Sequence, residues 1–126
     1  MYQVIRTDRV CKDAMQQNTY RSQEGWELEY LTFSSLARLG LVEHLFTTRL
    51  GGVSKGACSS LNLSFTRGDD PQAVLTNYKR VAEVLGCAVE DMVASHQTHT
   101  TNIRRVDSSD KGKGIVRTGT MRISTG

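Results

Sequence analysis

An α+β fold is predicted for this chain of 126 residues, and three observations predict it. Trp26, Leu28, Tyr30 and Thr32 alternate with Glu27, Glu29 and Leu31, the pattern of a half-buried strand. Val74, Leu75, Tyr78, Val81, Ala82 and Leu85 recur at helical spacing. The element order, strand, strand, loop, helix, strand, strand, interleaves the two types within one domain.

Each element has a local cause. Residues 1–25 carry Val10, Cys11, Ala14 and Met15 within a run of Gln, Asn, Arg and Asp, so they read as a polar arm with at most a weak helix. The strand from Trp26 follows, and a second is expected over Glu43–Thr48, with His44 marking its start. Residues 50–70 hold Gly51, Gly52, Gly56 and Gly68 among serines and aspartates, which favours turns and close backbone approach, anchored by Leu61 and Leu63. Asp70 then caps a helix, Pro71 suits its first turn, and Gly86 ends it; its apolar face requires a sheet to cover it. Met92–Ala94 and Asn102–Val106 read as strands, with His96 and His99 between them. From Asp107 to Gly126 the apolar residues are too scattered to define an element.

Composition narrows the function classes. The net charge of +3 is mostly dispersed. From Arg104 onward six basic residues face only Asp107 and Asp110, yet that segment has no aromatic residue for base stacking, so nucleic acid is not an expected partner. Cys11, Cys58 and Cys87 are widely spaced without a C-x-x-C pair, which indicates neither a disulfide framework nor a zinc knuckle and agrees with a reduced, cytoplasmic setting. Met1–Arg6 lacks the apolar core of a signal peptide and no apolar run approaches the ~20 residues that cross a bilayer, so no membrane association is expected.

Arg49 sits where the second strand enters the Gly51-Gly52 loop, where a guanidinium can grip a phosphate or carboxylate with two N–H groups; the alternative is a surface arginine beside an ordinary turn. His96 and His99 are three apart and would point to opposite faces of a strand but to one face of a helix, so a two-histidine clip is disfavoured if this segment is a strand. Cys58 would act as a nucleophile only with a base or cation beside it, and Lys55 is the nearest in sequence; otherwise it is a spectator. Asp69 is explained by a turn and Asp70 by helix capping.

Read in order, Thr47-Thr48-Arg49-x-Gly51-Gly52-Val53-Ser54, Ser60-Leu61-Asn62-Leu63, Gly68-Asp69-Asp70, Asn77-Tyr78-x-Arg80, Gln97-Thr98-His99 and Gly112-Lys113-Gly114-Ile115 resemble the laccase-domain family, also described as multicopper polyphenol oxidase-like, peptidoglycan editing factor and purine nucleoside phosphorylase proteins. The resemblance covers residues 26–117 and corresponds to the amino-terminal half of the family domain; residues 118–126 resemble nothing in it. It implies an α+β fold of mixed sheets flanked by helices, incomplete here relative to the full family domain, and a cytoplasmic zinc enzyme that phosphorolyses adenosine, inosine and methylthioadenosine and deaminates adenosine, with purine nucleoside and phosphate as partners. It also implies His99 as a metal ligand and places Arg49 and Ser54 in the motif lining the site, as holders of phosphate or nucleoside. The family's Ala-Asp-Cys and His-x-Gly-Trp-Arg motifs, which supply the other ligands, do not occur in this sequence, so a truncated form is expected. The rival expectations are a copper-dependent polyphenol oxidase and an inactive fragment or binding module, and an incomplete sheet would leave apolar area that drives self-association.

Overall fold

A computed structural model describes residues 15–96, 99–116 and 121–122. Residues 1–14, Gln97, Thr98, 117–120 and 123–126 lie outside that description, and with them Cys11, most of the expected arm and most of the divergent tail.

Strand β1 (Met15–Arg21) pairs antiparallel with β2 (Glu27–Phe33), from Met15 opposite Phe33 to Arg21 opposite Glu27. β1 falls within the stretch expected to be an arm. Its residues are mostly exposed, and cross-strand polar pairs hold it instead of a core: Asn18 donates to the Thr32 hydroxyl at 3.0 Å, and Arg21 lies 3.1 Å from Glu27. The connecting turn is closed by Ser22, whose N–H donates to the Trp26 carbonyl and whose hydroxyl accepts from the Trp26 N–H.

The face of β2 read from alternation is the buried one. Leu28 is fully buried with Leu61 and Val81, and Trp26, Tyr30, Leu45, Leu63, Val84, Leu85 and Met92 pack around them. Burial of these side chains contributes about 25 cal/mol per Å² of apolar surface removed from water. A short helix, α1 (Ser34–Leu39), follows directly and ends at Gly40, whose φ of 64° suits glycine. This helix carries no buried residue, so no apolar periodicity announced it.

The second expected strand is shorter than predicted. Of residues 43–48 the ladder takes β3 (Phe46–Thr47), which pairs with β2 with Thr47 opposite Tyr30 and Phe46 opposite Leu31. His44 is diverted from the ladder: its Nε2 accepts the Phe33 N–H at 2.8 Å, just ahead of α1.

Helix α2 (Pro71–Leu85) agrees with its sequence signals. The Asp70 side chain accepts the Gln72 N–H, Pro71 opens the helix, and Gly86 closes it in the left-handed region. Val74, Val81 and Ala82 are buried on its inner face, and so is Asn77.

The two strands expected after α2 are corrected. Met92–Ala94 is not a strand; the Met92 carbonyl accepts from Gly112 N–H and Ala94 N–H donates to the Lys113 carbonyl, which fixes this segment against the turn at 110–114. Asn102–Val106 is irregular, because Ile103 is 96% exposed and no neighbour offers it a sheet face among the described residues. The pairing strands are β4 (Ser95–His96) and, in the stretch where no element was expected, β5 (Met121–Arg122), parallel to each other. No described helix is long and apolar enough to cross a membrane.

Candidate phosphate-binding trough

The Gly51-Gly52 pair exists to let two backbones touch. A Cβ on Gly52 would stand 2.0 Å from the Ser60 carbonyl oxygen, and one on Gly51 would stand 2.7 Å from Leu28 Cα, with φ at +107°. The loop 49–54 therefore lies flat between β2 and the Ser60–Leu63 segment. Its polar groups are largely engaged inside the protein: Gly52 N–H donates to the Ser60 hydroxyl at 3.2 Å, and the Gly51 carbonyl accepts from Arg80 at 2.8 Å. Arg80 also sits 4.8 Å from the Trp26 ring centroid, a cation–π contact that clamps the loop to the sheet.

Behind the loop lies a buried polar hub. Asn77, fully buried on α2, accepts the Val53 N–H at 2.9 Å and donates to the Ser54 hydroxyl at 2.9 Å and the Asn62 carbonyl at 2.8 Å. Ser54 in turn donates to Asp69 at 2.5 Å, and Asn62 donates to the same carboxylate oxygen at 3.1 Å. The Ser54 hydroxyl, with the Asn62 amide and the Asp70 N–H beside it, holds the Asp69 carboxyl below its ordinary value of 3.8. Sequence reasoning passed over this hub, although a polar Asn77 between Val74 and Val81 on the apolar stripe was its signal.

Ser54 is only 4% exposed, so it shapes the wall of the site from behind and does not line it. Arg49 does line it. An open trough of about 540 Å³ runs past Arg49, Cys58, Leu61, Asn62, Leu63 and Arg67. The Arg49 backbone carbonyl is fixed by Ser60 N–H at 2.9 Å and Leu61 N–H at 3.1 Å, while its guanidinium donates to the Ser59 carbonyl at a long 3.4 Å. Arg67, a wall residue that sequence reasoning did not single out, adds a second arginine, and no carboxylate lines the trough among the described residues. Two cationic forks on one concave surface suit a dianion. The Cys58 thiol donates to the Arg67 carbonyl at 3.7 Å.

The histidines are dispersed. His44 is bonded to Phe33, His96 lines a neighbouring trough, and His99 is exposed and outside both trough linings. No group of three His, Cys, Asp or Glu side chains among the described residues is placed to hold a metal ion. The donor set described here therefore does not fit zinc, which needs three protein ligands at a catalytic site, or a copper centre.

Comparison with known proteins agrees with this architecture. Residues 43–122 match the family described as multi-copper polyphenol oxidoreductase laccase. Over 68 residues the chain is 40% identical to a purine nucleoside phosphorylase of Corynebacterium glutamicum and 43% identical to purine nucleoside phosphorylase YlmD of Geobacillus stearothermophilus, in each case over 54% of this chain. The matched segment spans 28% and 25% of those two proteins, about a quarter of their length. The crystal structure of YlmD from Geobacillus stearothermophilus superposes with a TM-score of 0.68 at 34% identity, covering 82% of this chain and 35% of that one. The YfiH protein of Bacillus licheniformis gives 0.64 at 33% identity, over 70% and 32%. The chain belongs to the multi-copper polyphenol oxidoreductase laccase family.

Proposed function

We propose that this chain carries the phosphate-facing wall of a purine nucleoside phosphorylase site, acting on adenosine, inosine and methylthioadenosine. The observation that carries the reading is the pair of arginines, Arg49 and Arg67, on one trough with no carboxylate in its lining among the described residues. The purine nucleoside phosphorylase names of the relatives support the same reaction class. In phosphorolysis a phosphate oxygen forms a bond to ribose C1′ as the bond from C1′ to the base nitrogen breaks, and that electron pair leaves with the base. Arg49 and Arg67 would hold the attacking dianion and offset its charge, each through charge-assisted hydrogen bonds. Deamination of adenosine would use the same nucleoside surface with water as the attacking group.

His99 is the chain's contribution to any metal site in this reading, and the groups that complete such a site and protonate the leaving base are not among the described residues. Copper-dependent phenol oxidation has less support, since it needs several His/Cys clusters. The same reading takes the chain as cytoplasmic.

The test is an NMR titration of the purified chain with inorganic phosphate, alongside a phosphate-dependent inosine cleavage assay. Saturable shifts confined to Arg49, Arg67 and their neighbours are expected, with negligible turnover. Absence of those shifts would remove the anion wall, and efficient turnover by the chain alone would show that the missing groups lie within it.

A further inference from the structure

Strand β1 stands at the edge of the three-stranded sheet, and among the described residues no strand lies beyond it. The direction of its backbone groups follows from β2. The Glu29 carbonyl accepts from the Thr48 hydroxyl and the Phe33 N–H donates to His44, so the odd-numbered residues of β2 turn their polar groups away from β1. Opposed residues of an antiparallel ladder alternate between bonded and unbonded pairs. Arg21, Thr19, Gln17 and Met15 stand opposite Glu27, Glu29, Leu31 and Phe33, which makes these the unbonded pairs. The N–H and C=O groups of Met15, Gln17, Thr19 and Arg21 therefore point outward along the sheet edge. Proteins commonly guard such an edge with lysine, proline, a bulge or a covering element. β1 has no lysine or proline, its ladder with β2 runs without a bulge, and its one charged residue, Arg21, is its last.

We infer that β1 is a self-pairing edge that joins two copies of this chain, antiparallel about a two-fold axis at Asn18, into one continuous sheet. The occupant is a second copy because the strand complements itself. With Asn18 opposite its counterpart, the outward groups of Gln17 meet those of Thr19 in the second copy, and those of Met15 meet those of Arg21, so each outward donor finds an acceptor. No like charges are opposed, since Arg21 falls opposite Met15, which is 55% exposed and offers apolar surface to the arginine stem. A shift by one residue would set outward groups against groups already bonded to β2, and a shift by two would leave the strand ends unpaired.

Sedimentation of the full chain over a concentration series tests this. The mass should rise from 14.0 kDa toward twice that value, and amide exchange at Gln17, Thr19 and Arg21 should slow in step. Gln17→Lys with Thr19→Lys opposes lysine to lysine on both sides of the axis, while within one copy both positions stand beside Glu29. This double variant should raise the dimer Kd by about tenfold or more and leave the thermal midpoint of the dilute chain unchanged. Mixing it with a Gln17→Glu, Thr19→Glu chain should restore pairing, which a folding defect would not allow. Asn18→Cys should form an interchain disulfide that the parent does not, because opposed Cα atoms of an unbonded pair stand about 4.5 Å apart. A monomer at every concentration would overturn the inference: with the Gln17 and Thr19 amides protected, the edge is covered by the chain's own residues, such as 1–14, and with them unprotected it stays open. A dimer that the lysine pair leaves intact would overturn it as well.

Discussion

The amide of Asn77 donates to the hydroxyl of Ser54 at 2.9 Å across the interface between helix α2 and the glycine loop, with both side chains buried. With the bonds from Val53 N–H to Asn77 and from Arg80 to the Gly51 carbonyl, it ties the loop that carries Arg49 to the best-defined helix of the chain.

Replacing Asn77 by Ala or by the similarly sized Leu should destabilise the chain by about 2–4 kcal/mol, because Val53 N–H and the Ser54 and Asn62 oxygens lose a buried partner in either case. Leu should give no rescue. Urea unfolding checks this: the midpoint should fall with little change in slope, and a Leu variant as stable as the parent would mean that the hub is not needed for the fold.

Gly52→Ala should be far more damaging than Gly40→Ala. The new Cβ at position 52 meets backbone at 2.0 Å, which cannot swing aside, whereas nothing lies within 4 Å of position 40. The cost at position 52 should be about 3 kcal/mol or more, against about 1–2 kcal/mol for placing Ala in the left-handed region at position 40. Thermal melts of the two variants give the comparison, and equal losses would refute the close approach.

Acid should weaken the loop through Asp69. Its carboxyl titrates below the ordinary 3.8 when folded, so the stabilisation is complete above the unfolded value and is lost as pH falls through the folded one. Asp69→Asn should flatten the acid limb of the stability curve below pH 3.8. It should not abolish that limb, since Asp107 and Asp110 are also held low by their own hydrogen bonds, to Ser109 and to Lys113 respectively. Parallel acid limbs for parent and variant would exclude Asp69 as a contributor.

Arg49→Ala should weaken phosphate binding by roughly tenfold to a hundredfold, the worth of a charge-assisted hydrogen bond of about 1.5–3 kcal/mol. Stability should barely change, because position 49 holds the loop through its carbonyl, which the variant keeps. Arg49→Lys should recover only part of the affinity, since an ammonium lacks the planar fork. Calorimetric titration that finds unchanged phosphate affinity in Arg49→Ala would leave Arg49 with a structural role alone.

Zinc should bind the purified chain weakly and leave it on dialysis against a chelator, because no three His, Cys, Asp or Glu side chains are grouped to hold it among the described residues. His99→Ala should lower whatever zinc is retained before dialysis. Stoichiometric zinc surviving the chelator would place a complete site within the chain.

Local signals in the sequence determined helix α2, with its Asp70 cap, Pro71 start and Gly86 stop, and the buried face of β2 at Trp26, Leu28 and Tyr30, because both follow from periodicity and backbone chemistry that neighbours only reinforce. The ordered motifs likewise identified the family and directed attention to the loop at Arg49. What only the tertiary structure decided depends on partners distant in the chain. β1 is a strand because β2 supplies its ladder, and Met92–Ala94 is not one because the turn at Gly112 and Lys113 takes its backbone groups. Ser54 belongs to the interior because Asn77, twenty-three positions away, reaches it. Arg67 joins Arg49 only because the Ser60–Arg67 segment folds back along the glycine loop, a meeting that no spacing rule records.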